Sequence, residues 1–213
     1  MQNLISELER MCWHTDFNRY EALNIARQLD LNQVFLSSTK RYSFPYKTTF
    51  LEEAVESLNI PMVELLLQNG ADPNFIDPKG EADHVFMTML CRDFERKENN
   101  SKRLEIIELM LRYGADPNSK DFDDELILDH ATDIYSECDG DRPEYVASIE
   151  YLERFIIMLV AYGGDSRYFP VKILQPLDKS NLGQYKLKNI LPFFKKVSLG
   201  IIVDGEGNTV AYV

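Results

Sequence analysis

Gly70-Ala71-Asp72-Pro73-Asn74 returns letter for letter as Gly114-Ala115-Asp116-Pro117-Asn118. Each copy closes an apolar run at helical spacing: Val63-Glu64-Leu65-Leu66-Leu67-Gln68-Asn69 before the first, and Ile107-Glu108-Leu109-Met110-Leu111-Arg112-Tyr113 before the second. A weaker third copy, Gly163-Gly164-Asp165, ends the run from Ile156 to Tyr162. Self-similarity of this kind marks a repeat architecture, in which one supersecondary unit buries its apolar face only against the next. Gly70, Gly114 and Gly163 stand where a helix ends in the left-handed backbone region, which glycine enters without a Cβ penalty. Asp-Pro-Asn then forces a turn, since proline blocks helix continuation and asparagine tolerates unusual backbone angles.

Upstream of the first copy, Thr49-Phe50-Leu51-Glu52-Glu53-Ala54 opens a short helix, and Pro61 stands in the first turn of a second, where its missing amide goes unnoticed. Residues 48–74 together resemble the ankyrin repeat: Thr49, Leu51 and Ala54 stand at that family's threonine, leucine and alanine, and Val63 to Leu67 at its Val-Glu-Leu-Leu-Leu. Phe50 replaces the family's usual proline and Glu52 its usual histidine. The register continues through Gly80, Ala82, His84 and Met87, and resumes from Leu104 to Asn118. A third unit begins at Leu126, Leu128 and Ala131. The closing glycines stand 44 and 49 residues apart, against about 33 in the family, which implies insertions of roughly eleven and sixteen residues. Asn99-Asn100-Ser101 marks the first insertion and Ser136 to Pro143 the second.

The expected architecture is mainly α, an ankyrin-type helical-repeat solenoid with a small C-terminal β-hairpin or α+β cap. Residues 1–46 form a divergent N-terminal helical unit, 47–79 a repeat, 80–123 and 124–165 repeats with insertions, and 166–213 the cap. In the N-terminal unit, Leu4, Ile5, Leu8, Met11 and Cys12 recur at helical spacing, as do Tyr20, Leu23, Ala26 or Arg27 and Leu29, with Asp16 as cap and Trp13 packed at the seam. Such an end unit covers an apolar face that an open stack leaves in water. In the cap, Tyr185 to Lys196 reads as a basic helix. Leu199–Val203 and Thr209–Val213 flank Asp204-Gly205-Glu206-Gly207-Asn208 as a hairpin, docked on Val171 to Leu174 or on Ile190, Phe193 and Phe194.

Composition narrows the function. Of 213 residues, 45% are apolar, sufficient for a core, and no stretch reaches the roughly 18 apolar residues of a membrane helix. Met1 to Arg10 lacks a basic-then-apolar leader, so a cytosolic address is expected. Cys12, Cys91 and Cys138 have no metal or disulfide spacing and read as reduced thiols, Cys12 and Cys91 packed. A net charge of −12 disfavours a nucleic-acid surface. Residues 121–153 carry −11 of it, opposed only by Arg142, while 166–213 carry +4. An acid run of this kind is either a solvated face or a steering patch for a basic protein.

No cofactor, metal site or enzymatic chemistry is expected. His14, His84 and His130 lie in separate units, and no metalloprotease, nucleophile-elbow, phosphate-loop or dinucleotide motif is present. Asp121-x-Asp123-x-Glu125 opens like a calcium loop, but Leu126 stands where that loop needs glycine and Thr132 where it needs glutamate. By the ankyrin resemblance, partners meet the turn tips and the concave face of the first helices. The corresponding residues are Phe50, Glu53 and Ser57; Phe75, Ile76, Asp77 and Lys79; Asp83 and Phe86; Lys120, Phe122 and Asp123; and Ile127 and His130. Core packing is the competing role for the apolar ones. Phe75 and Phe122 are the aromatic anchors. Type and charge imply an immunity or inhibitor protein covering a basic enzyme. The alternatives are a scaffold or host-directed binder, or an enzyme or ligand-binding protein with its site near the C-terminal cap.

Overall fold

Helix-forming runs alternate along the chain with Asp/Asn/Gly-rich turns, and the computed structural model follows that alternation. It describes residues 2–39, 46–90, 97–138, 146–165, 201–203 and 209–212. The protein is mostly helical: α1 (Gln2–Cys12), α2 (Arg19–Ala26), α3 (Phe50–Glu56), α4 (Ile60–Gln68), α5 (Val85–Leu90), α6 (Lys97–Arg112), α7 (Ile127–Glu137) and α8 (Val146–Ala161). Two short antiparallel pairs complete the described elements. Phe35–Leu36 (β1) pairs with Lys47–Thr48 (β2), and Ile201–Val203 (β3) with Thr209–Tyr212 (β4). The paired strands β3 and β4 fall within the two segments read as a hairpin. The basic helix and the surfaces proposed to dock that hairpin lie outside the described residues, as does Cys91. No described helix is long and apolar enough to cross a membrane.

Helices α1, α3, α5 and α7 contact one another in that order, and α4, α6 and α8 do the same in a second row. α1 also packs on α2, α3 on α4 and α7 on α8. The core runs between the rows and is built from the positions whose periodicity is visible in the sequence. Leu8, Leu51, Leu65, Leu66, Ile106, Ile107, Leu128 and Leu159 are all essentially inaccessible, each such side chain contributing roughly 1.5–3 kcal/mol of burial.

What joins neighbouring units along the edge is an asparagine amide. Asn74 donates from Nδ2 to the Gly114 carbonyl (2.9 Å) and accepts the Asp116 N–H at Oδ1 (2.6 Å). Asn118 does the same to Gly163 (3.1 Å) and Asp165 (2.9 Å). Asn32 does so to Gly70 (3.4 Å) and Asp72 (2.8 Å). Each of these asparagines gives its own N–H to the aspartate two residues earlier, Asp30, Asp72 or Asp116. The repeated Gly-Ala-Asp-Pro-Asn is therefore a helix stop followed by a bracket for the next unit. Its glycines hold φ of +99°, +91° and +104° at Gly70, Gly114 and Gly163, as expected of helix stops. Asp30-Leu31-Asn32 is a bracket of the same kind that the repeat reading missed.

Several local expectations change. The cap of α2 is Asn18, whose side chain accepts the N–H groups of Tyr20 and Glu21, not Asp16. The buried face is consequently Ala22, Ile25 and Ala26, and Tyr20 points outward at 74% exposure. Asn99, Asn100 and Ser101, read as marking the first insertion, lie in the first turns of α6, which has 16 residues against 9 in α4. Asn100 and Arg103 are buried there, hydrogen-bonded to each other, with Arg103 over the Tyr151 ring. Ser136 likewise falls inside α7, and residues 139–143 of the second proposed insertion lie outside the described residues. Glu52 makes a full capping box with Thr49 and accepts the Thr48 hydroxyl at 3.0 Å, bracing the turn without the family's histidine. Pro61 occupies the first turn of α4 behind the Asn59 cap.

Candidate functional site

The turn after Asn74 and the turn after Asn118 are built on equivalent aspartates. Asp77 accepts from the N–H of Lys79 at Oδ1 and from those of Glu81 and Ala82 at Oδ2. Burial opposes its ionisation, but these three N–H groups outweigh it and hold the carboxyl below its usual range. Asp121 accepts from the N–H groups of Asp123 and Glu125 through Oδ1 alone. That leaves Oδ2 facing His130 Nε2 at 2.8 Å, with Glu125 Oε2 at 3.5 Å from the same nitrogen. Again burial works against the charge, and the Glu125 N–H and the His130 ring overcome it to keep the Asp121 carboxyl low. Asp121, Glu125 and His130 place their ligand atoms within 4.8 Å of one another, the one such set among the described residues.

The second of these turns is tightly framed. Asp121 N–H bonds to the Glu125 carbonyl (2.9 Å) and Ile127 N–H to the Ser119 carbonyl (3.0 Å), closing a small bridge between Lys120 and Leu126. Lys120 pairs with Asp124 at 2.7 Å. Gly80 (φ +64°) and Asp124 (φ +68°) hold the same left-handed position in the two turns. Phe122 lies flat against Gly80, where a Cβ would come within 2.7 Å of the ring, yet the side chain is 56% exposed.

The sequence-nominated residues divide cleanly. Ile76, Lys79, Asp83, Lys120, Phe122 and Asp123 are exposed, and Phe75 and His130 are half-buried. Phe50, Phe86 and Ile127 are fully inside the core: Phe50 stacks on Phe35 at 4.5 Å, and Phe86 meets Phe155 edge-on. Phe86 is the second residue of α5, which starts at Val85, and its N–H is capped by His84 Nδ1. Asp77 is buried in its turn, and Ser57, at the end of α3, donates its hydroxyl to the Ala54 carbonyl (3.0 Å) of α3 and to the Cys12 carbonyl (2.6 Å) at the end of α1.

Glu53 belongs to a buried polar cluster between α1 and α3. Its carboxylate accepts from the Trp13 indole and from the Tyr46 hydroxyl. Glu9, also buried, accepts from the Ser37 hydroxyl and from both the N–H and hydroxyl of Ser38. Burial raises the Glu53 carboxyl, opposed by those two hydrogen bonds and reinforced by Glu9. Burial followed by the Glu53 and Glu9 charges pushes the Cys12 thiol well up, so it is an unreactive packed group, as its sequence setting predicts. No family model matches the chain, and no curated protein matches it.

Proposed function

We propose that this chain is an ankyrin-type solenoid acting as a non-enzymatic protein-interaction module, and that its turn tips grip a basic protein partner as an immunity or inhibitor protein would. The observation that carries the reading is Phe122. A large aromatic ring stands more than half exposed on a turn that also bears Asp121, Asp123, Asp124 and Glu125. It is held in place by the neighbouring turn's glycine, and Ile76, 43% exposed, sits on that same neighbouring turn. A rigid aromatic ringed by charge is the composition of an interface hot spot, because little side-chain freedom is lost when a partner closes over it. The acids supply long-range attraction for a basic surface, and that attraction is screened by salt. The asparagine brackets support the solenoid reading, since they present successive turns along one edge.

Affinity capture with the purified chain at low and high salt tests the reading. A basic protein should be retained at low salt, released at high salt, and lost when Ile76→Ala and Phe122→Ala are combined, with the melting temperature little changed. Retention that is indifferent to both salt and the double substitution overturns it.

A further inference from the structure

We propose that Asp121, Glu125 and His130 form a binding site for one divalent transition-metal ion of the zinc class, ligated by Oδ2, Oε2 and Nε2. The donor set is mixed, two carboxylate oxygens and an imidazole nitrogen, which suits zinc and its first-row neighbours and not calcium, whose ligands are all oxygen. Ligands about 2.0–2.1 Å from a tetrahedral ion stand about 3.3 Å apart. The His130–Asp121 and His130–Glu125 separations, 2.8 and 3.5 Å, bracket that value.

The donors are also oriented before any ion arrives. Asp121 Oδ1 is fixed by two backbone N–H groups, so Oδ2 has one direction to face. One of those N–H groups belongs to Glu125, and His130 sits in the first turn of α7, whose start is pinned by the Ile127–Ser119 bond. Outer hydrogen bonds of this kind are what hold metal ligands in register. In the equivalent turn Asp77 commits both oxygens to backbone, so of the two turns only the one at Asp121 leaves an oxygen for a ligand. The side chains of His130, Asp121 and Glu125 are 25%, 15% and 65% exposed, leaving an open side for water to complete the shell. Two carboxylates and an imidazole make a donor set that a divalent cation balances in charge, and a metal binds it through the deprotonated oxygens and an unprotonated ring nitrogen.

Titration of the full chain with zinc at near-neutral pH, followed by calorimetry, should show one saturable site. His130→Ala should weaken it by at least about tenfold, the loss that even an outer-shell partner can cause. Glu125→Gln, a change at an exposed position that leaves the fold intact, should weaken it as well. Cobalt in place of zinc reports the donors directly: oxygen and nitrogen ligation gives visible bands without the near-ultraviolet thiolate band that the cysteines would produce. No saturable binding to the unaltered chain, affinity unchanged in both variants, or a thiolate band that survives His130→Ala overturns the proposal.

Discussion

Asn74 shows how much one side chain can decide. Its amide makes two bonds to the following unit and its backbone one to its own, so Asn74→Ala should lower stability by about 1–2 kcal/mol in urea unfolding. Asn74→Asp keeps the acceptor but turns a carboxylate oxygen on the Gly114 carbonyl, and should cost at least as much as Asn74→Ala. Two buried ionisable groups set the response to pH. Burial lifts Glu52 to about 8, countered in part by the Thr48 hydroxyl. Burial drops His84 to about 4, with Asp72 the leading opposing charge. A raised carboxyl binds its proton more tightly when folded, so its contribution is full below about 4.5 and is lost as pH rises to about 8. A lowered imidazole does the reverse, contributing fully above about 6.5 and losing that as pH falls to about 4. Each slope is at most about 1.4 kcal/mol per pH unit. The two cancel between about 4.5 and 6.5. Glu52→Gln should therefore remove a decline on the alkaline side, and His84→Gln one on the acid side, when unfolding is followed across pH.

Among the elements, the paired turns offer the sharpest contrast. Asp124 shows that the left-handed position tolerates a side chain, as aspartate often does. Gly80 differs because Phe122 covers it. Gly80→Ala should cost about 2–3 kcal/mol, more than the roughly 1 kcal/mol of backbone strain expected at Gly114, whose Cβ would meet nothing within 4 Å. Adding Phe122→Ala to Gly80→Ala should recover the excess, and thermal melts of the four chains measure the coupling. Helix stops at Gly70, Gly114 and Gly163 were legible because one backbone conformation demands one residue type. The start of α5 was not, since His84 caps with a ring nitrogen where Ser, Thr or Asp is the usual signal. Asp30-Leu31-Asn32 lacked the glycine and proline that drew the eye to its counterparts. The Asp121–His130 pairing spans nine positions and depends on how the turn folds back, which neither residue announces. Phe50 and Phe86 looked like surface candidates by register and proved to be core, because the rows of helices close over them.

For the whole molecule the relevant quantity is field. A net charge of −12, nearly all of it within residues 121–153, repels itself across the third unit. Moderate salt should raise the melting temperature of the free protein even as it weakens capture of a basic partner. Asp123→Asn should raise the melting temperature at low salt and leave it unchanged at high salt, as differential scanning calorimetry can check. The asparagine brackets carry a consequence of a different order. Asn74 and Asn118 offer the same amide, in the same turn, to whatever comes next. An unequal crossover duplicating residues 75–118 would leave every amide facing a matching neighbour. An added copy would thus be joined at both of its ends, and replacing either asparagine would leave one junction without its amide bridge.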